Sequence, residues 1–340
     1  SSAASDVYKR QVEAKDVEPL RKLLQVPDAL RDKNLVKFAS FRKPDAIDVE
    51  NSYGKLAFRR PDEARPWQLW RGGTERPASD TEMSLLINTL TQKDQVKAFP
   101  EAGDRAKLGL DKPQATVSIW VEGLARDDKK KDKKDKKDKD KKDEPKLKDK
   151  DRPTVQLRFG DRKNGQVAVE RRRGGDKETV LLMVPEGVLD LVKRDALAYL
   201  DKSLPQFNPG EFDAAKDVTR LEVVRDGTTY EITRDKKGGR GWKIDKPAGL
   251  GKADPQVVED VLAKLNRLQA QKLVAEKAES PARLQTDYGL GKPPLKAVVT
   301  LTRDGKETKY EYDFGKDEDK NNVYALSLIH ISEPTRQAEI

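Results

Sequence analysis

Apolar and polar residues alternate along Ala46 to Glu50 and again along Lys55 to Arg59, on either side of Asn51-Ser52-Tyr53-Gly54. A period of two places alternate side chains on opposite faces of a strand, so this stretch predicts a β-hairpin. The same alternation over Arg220 to Val224 and Thr229 to Thr233 flanks Asp226-Gly227, a favoured two-residue hairpin turn. A third strand is expected to follow at Trp67 and at Trp242. The period then changes. Met83, Leu86, Ile87 and Leu90 fall at helical spacing, as do Val258, Val261, Leu262, Leu265 and Leu268. Asp80 is expected to open the first helix, and Asp254 with Pro255 the second, as an N-cap followed by a proline at the first helical position. Strands return at Ala115 to Val121 and Pro153 to Gly160, and at Lys296 to Thr302 and Glu307 to Phe314. Beyond Phe159-Gly160 the chain adds Gln166 to Arg172 after Asn164-Gly165, then Glu178 to Val184, then a helix from Pro185.

Both halves run through this order with matching residues, the signature of an internal repeat. Asp32-Lys33-Asn34-Leu35-Val36-Lys37-Phe38 matches Asp201-Lys202-Ser203-Leu204-Pro205-Gln206-Phe207. Trp67 matches Trp242, and Pro77-Ala78-Ser79-Asp80 matches Gly251-Lys252-Ala253-Asp254. Leu108-Gly109-Leu110-Asp111-Lys112-Pro113 matches Tyr288-Gly289-Leu290-Gly291-Lys292-Pro293, and Phe159-Gly160 matches Phe314-Gly315. Antiparallel strands with one helix between them argue an α+β fold in two tandem units. Residues 29–200 are read as the first unit, 201–325 as the second, and 12–28 as the remnant of an upstream segment.

Composition changes this picture in one place. From Asp127 to Arg152 the chain is almost wholly Lys and Asp, and nearly half of the formal charge of +9 sits there. The second unit joins the corresponding strands through Asp304-Gly305, so residues 127–152 are an insertion at a hairpin tip, expected to be a disordered, solvated loop. Loop-closure entropy grows slowly with length, which makes such an insertion tolerable. Its bases are interrupted by acids every second or third residue. That weakens the field a nucleic-acid arm would need, since counterion release requires uncompensated positive charge.

The two ends read differently from the rest. Ser1 to Gln11, SSAASDVYKRQ, matches the translation of a transposase-based sequencing adapter, and Leu326 to Arg336, LSLIHISEPTR, the opposite adapter. Codons for Asp6 to Gln11, reverse-complemented, encode Leu326 to Ile331. Residues 1–11 and 326–340 are therefore expected to be adapter-derived and are set aside from fold reasoning. The second unit is then expected to be C-terminally truncated, lacking counterparts of Gln166 to Arg172 and Glu178 to Val184, with Leu326 to Ile331 available as a substitute strand beside an open sheet edge.

The only histidine, His330, lies in that terminal stretch, and the chain has no cysteine. Between the adapter stretches the usual general base near neutral pH, thiolate nucleophiles and the common zinc, copper and haem ligands are missing. No calcium-loop pattern or nucleophile motif occurs. Catalytic, cofactor-binding and metal-binding residues are all expected to be none. Four features invite a functional reading. Trp67 and Trp242 could stack on a ligand, but a role packing sheet against helix is favoured. The Gly-Leu-x-Lys-Pro turns could hold an anion; a structural turn is favoured, with Gly109 and Gly289 in a backbone conformation other residues resist and Pro113 and Pro293 leading into the next strand. Gly238-Gly239-Arg240-Gly241 lacks Walker spacing and a following helix, which favours a flexible turn. Arg171-Arg172-Arg173 could contact phosphate, but a solvated strand end is favoured.

On the strand Trp, the Ala253-Asp254 helix start, Asp287-Tyr288-Gly289-Leu290-Gly291-Lys292-Pro293 and Phe314-Gly315, the chain resembles the bacterial domain of unknown function 4340 (DUF4340), in two tandem copies. The first copy departs from the pattern at Leu108 and Ser79. The resemblance implies an extracytoplasmic or periplasmic protein tethered by an N-terminal membrane helix upstream of Val12, acting with ABC-transporter or gliding-motility-type components. It supplies no catalytic residues. The expected function is a non-enzymatic cell-envelope binding or scaffolding module with protein partners in a membrane transport complex. A nucleic-acid-associated basic protein is the alternative.

Overall fold

A computed structural model describes residues 11–25, 27–39, 42–125, 143–176, 178–235, 241–275 and 280–331. The chain divides into two compact units, Ser1–Asp201 and Lys202–Ile340. Ahead of the first sheet lies a helix, α1 (Ala14–Gln25). The first unit then contains β1 (Pro44–Asn51), β2 (Gly54–Arg59), β3 (Gln68–Arg71), β4 (Thr74–Pro77), α2 (Asp80–Thr91), β5 (Ala115–Val121), β6 (Val155–Lys163), β7 (Gln166–Arg173), β8 (Val180–Pro185) and α3 (Gly187–Val192). The second contains β9 (Val218–Arg225), β10 (Thr228–Arg234), β11 (Trp242–Lys246), β12 (Lys252–Ala253), α4 (Pro255–Asn266), α5 (Pro281–Tyr288), β13 (Leu295–Arg303), β14 (Lys306–Asp317) and β15 (Val323–Ile331).

The sheets have one topology. Strand order is β4-β3-β2-β1-β5-β6-β7-β8 in the first and β12-β11-β10-β9-β13-β14-β15 in the second. All neighbours are antiparallel, as expected of an α+β unit built twice. Three hairpins turn on Asn164-Gly165, Asp226-Gly227 and Asp304-Gly305, each pair with positive φ at both residues. That conformation matches the twist of the flanking strands and suits Asn or Asp followed by Gly.

One face of each sheet carries the core. In the second unit Leu221, Val299, Leu301 and Tyr312 pack with Trp242 from β11 and Val258, Leu262 and Leu265 from α4. Asp254 caps α4, its carboxylate accepting from Gln256 N at 2.9 Å, with Pro255 at the first helical position. Two helix expectations need correction. Ser79, not Asp80, is the N-cap of α2, its hydroxyl accepting from Glu82 N, and this places Asp80 inside the first turn. Val261 lies at the margin of the apolar stripe and is exposed, since neighbouring Leu262 and Leu265 fill the face toward the sheet. Helix α5 was not foreshadowed by periodicity because it buries no side chain; it replaces the two 3-10 turns Ala102–Asp104 and Ala106–Leu108 of the first unit.

The shared motifs have shared jobs. Gly109 and Gly289 both end a helical turn in the left-handed region, at φ 70° and 68°. The carbonyl just before each sits against the glycine of the Phe-Gly pair. A Cβ on Gly160 would lie 2.1 Å from Leu108 O, and one on Gly315 would lie 2.1 Å from Tyr288 O. The turn motif and the strand-end motif are thus two halves of one contact. Likewise Lys33 O accepts from Val96 N at 2.9 Å and Lys202 O from Ala270 N at 2.8 Å, so the matched segment at the start of each unit is tied to the chain after the helix.

The units differ at the far edge. Strand β15, which includes Leu326 to Ile331, pairs with β14 where β7 pairs with β6, and no described residues follow it in the position of β8. Residues 1–10 and 332–340 of the adapter-like ends lie outside the described residues.

Candidate functional site

Trp67 and Trp242 are both buried, and neither is open to a stacking ligand. Each lies under an arginine from the neighbouring strand end: Arg60 stands 4.8 Å from the Trp67 ring centre and Arg234 5.1 Å from that of Trp242. A guanidinium over an indole face gains from the ring quadrupole while its stem covers apolar surface. This repeated pair was not recognised in the sequence, although Arg60 and Arg234 hold equivalent places in the two hairpins.

The Arg171-Arg172-Arg173 run is not a solvated strand end. Only Arg172 is exposed; Arg171 is buried and donates to Asn34 O, while Arg173 pairs with Asp32. The strand end thereby anchors the chain entering the first unit. Burial raises the Asp32 carboxyl, but hydrogen bonds from Arg173 and from the Asn34 backbone and side chain outweigh it and hold the group far below the usual carboxylate range. One strand residue earlier, buried Glu170 receives Arg105 Nε at 3.1 Å and Arg158 Nη1 at 3.3 Å. Burial again pushes upward, and the Arg105 hydrogen bond with the Arg105 and Arg158 charges keeps Glu170 below its ordinary value. Because both folded-state values lie below the unfolded ones, the stabilisation is complete above the ordinary carboxylate pKa of about 4 and is lost as pH falls below it. The first unit is expected to lose stability on acidification from about pH 4 downward, and Asp32→Asn to flatten that limb, as read by urea midpoints across pH.

The first sheet is also buried on its outer face. Ala46, Asp48, Ala57, Arg59, Trp70, Ser118 and Trp120 share that face by strand register and are all buried. Arg59 donates to Asp48 Oδ1 at 2.7 Å, to Phe58 O at 2.9 Å and to Glu144 Oε1 at 2.7 Å. Glu144 belongs to the C-terminal foot of the Lys/Asp insertion. Residues 126–142 lie outside the described residues, but 143–152 are described, and they pack. Leu147 bridges Leu124 and sits against Ala46 and Trp120, and Asp149 O accepts from Trp120 Nε1 at 2.9 Å. The expectation of a solvated loop over the whole of 127–152 therefore fails at its foot, where Leu147 finds an apolar face and Glu144 a buried arginine. Arg59→Ala is expected to cost about 2 kcal/mol in the urea unfolding of the first unit, below the roughly 3–5 kcal/mol of an unrelieved buried charge, because Lys55 still stands 3.1 Å from Asp48.

The corresponding face of the second sheet is a charge lattice. Glu231 meets Arg220 at 3.2 Å and Lys246 at 2.9 Å, Asp245 meets Lys243 at 2.7 Å, and Lys296 meets Glu311. These groups neutralise one another in the plane of the sheet.

An open groove of about 450 Å³ lies in the first unit, between the entering segment and the C-terminal end of α2. Val36, Phe38, Pro44 and Ile87 form its apolar part, and Lys37, Arg42, Lys43 and Lys93 with Asp94 its charged part. Arg42 and Lys43 already face Glu122 at 3.8 Å and Glu63 at 3.0 Å. Among the described residues no group of three or more His, Cys, Asp or Glu is placed to hold a metal ion, and no helix is long and apolar enough to cross a membrane. Of the Gly238-Gly239-Arg240-Gly241 turn, residues 238–240 lie outside the described residues.

Neither curated proteins nor solved structures show a match to this chain. The family model described as Domain of unknown function (DUF4340) matches residues 72–286. This is one continuous span, from the β3–β4 turn across the unit boundary into α5, rather than two separate matches. With more than half of the sequence inside that match, the chain belongs to the DUF4340 family.

Proposed function

We propose that the chain is a non-enzymatic binding or scaffolding module of the bacterial cell envelope, working beside an ABC-type or gliding-motility-type membrane complex. The observation that carries this reading is the assignment of the repeated residues. Trp67 and Trp242, Gly109 and Gly289, and Gly160 and Gly315 are all engaged in the internal packing of their own unit. What varies between the units is surface: a covered outer face and a cationic groove in one, a charge lattice in the other. Duplication of a stable frame with divergent faces is how a contact module gains several partners. The envelope setting rests on the resemblance to the family.

The test uses the complete natural gene product, fractionated from cells and cross-linked in membranes. It is expected to sediment with the membrane and to cross-link to an integral transport subunit. A complete reading frame without a hydrophobic segment, giving a product confined to the soluble fraction, would contradict the proposal. Binding to DNA or RNA at low salt that weakens steeply as salt rises would favour a nucleic-acid role instead.

A further inference from the structure

We infer that residues 143–149 form a detachable strap, occupying in cis a groove on the outer face of the first sheet that takes an extended peptide of the same chemistry: an acidic residue and, three positions further on, an apolar residue. The strap pairs antiparallel with residues 123–125, the other leg of the same β5–β6 connection, and lies over the outer face of the sheet. Ala125 N donates to Lys146 O and Lys148 N to Gly123 O, both at 2.8 Å, while Leu147 enters between Ala46, Trp120 and Leu124. Main-chain bonds supply affinity in this mode, and side-chain positions supply selection.

Two features separate the strap from an ordinary piece of core. Its side chains are only partly covered, Glu144 being half exposed and Leu147 half-buried, and its hold is mainly hydrogen bonds that water can replace, so local opening should require less than unfolding the unit. The face beneath also keeps its own support. Without the strap Arg59 retains Asp48 and Phe58 O, and the Asp45 carboxylate still accepts from Gly123 N and Leu124 N at 2.9 and 3.0 Å. Two buried donors on this face, Trp70 Nε1 and Arg59 Nε, have no hydrogen-bond partner among the described residues while the strap is in place. Among its described residues the second unit has no strap, and its outer face carries paired charges instead of tryptophan, so groove and strap occur together. The inference concerns the first unit alone and does not depend on the envelope setting.

The experiment replaces residues 143–149 in the full chain by a Gly/Ser segment of equal length, and adds a synthetic peptide with the sequence of residues 142–150. Strap removal is expected to shift tryptophan emission to the red, and the peptide to reverse the shift. The same peptide carrying Leu147→Asp is expected to bind at least about tenfold more weakly, and the intact chain not to bind either. In the intact chain the amides of Ala125 and Lys148 are expected to exchange by a local opening well before those of Val117 and Ile119. A strapless variant that stays folded without binding the peptide overturns the inference. So does a strapless variant that cannot fold, or exchange of Ala125 and Lys148 only through unfolding of the whole unit, since either makes the strap part of the fold.

Discussion

Gly160→Ala is expected to destabilise the first unit by at least about 3 kcal/mol, at the upper end of the range for overpacked sites, and Gly315→Ala to do the same in the second. In both cases the new methyl would meet a backbone carbonyl, at 2.1 Å from Leu108 O or from Tyr288 O. A flexible side chain could swing away from such a clash; a carbonyl fixed just before a left-handed glycine cannot, so strand and turn must part. Gly187→Ala is the control. Gly187 opens α3, and a Cβ added there would meet nothing within 4 Å; alanine is expected to be neutral or stabilising by about 0.4–1 kcal/mol. Urea unfolding followed by amide signals assigned to each unit separates the two effects. Equal tolerance of alanine at Gly160 and Gly187 would mean that turn and strand end are not in contact.

Trp242→Ala is the second large effect, expected to cost the second unit about 3–5 kcal/mol, the usual range for a buried aromatic. The ring contacts a core shared by three strands and α4, and its loss leaves Val258 and Leu262 facing a void. It also removes the surface on which Arg234 lies. Arg234→Lys, which keeps the charge but loses the planar stacking group, is expected to cost only about 0.5–1 kcal/mol. Thermal unfolding of the two variants orders these contributions. A Trp242→Ala variant as stable as the parent, or one that gains affinity for an aromatic ligand, would show the tryptophan to be a binding residue and not a packing one.

Much of the frame was legible because it follows from periodicity. Alternation gave the hairpins around Asn51-Ser52-Tyr53-Gly54 and Asp226-Gly227, and β5 begins at Ala115 and ends at Val121 as its apolar run suggests. The repeat was legible because glycines and tryptophans tolerate few substitutes at the places they occupy. Three things were not. Ser79 and Asp80 are both good caps, and only the folded backbone shows which of them carries the non-helical conformation. Arg171 reads as surface charge and nothing marks Arg59 as buried, since burial of a cation depends on a distant acceptor, here Asn34 O or Asp48, that no local pattern reveals. The foot of the Lys/Asp insertion was hidden by its composition: Leu147 is isolated among charges, and its importance lies in the apolar face of the sheet it covers.

The claim at the centre is that one α+β unit is built twice, with its matched residues holding each copy together. Native-state hydrogen exchange on the full chain tests it most directly. The slowest amides are expected at equivalent central strands, β1 and β5 in the first unit and β9 and β13 in the second, with Gly160→Ala accelerating the former set and Gly315→Ala the latter. Slowest exchange at non-equivalent strands in the two units, or glycine variants that leave their own unit's protection unchanged, would contradict it.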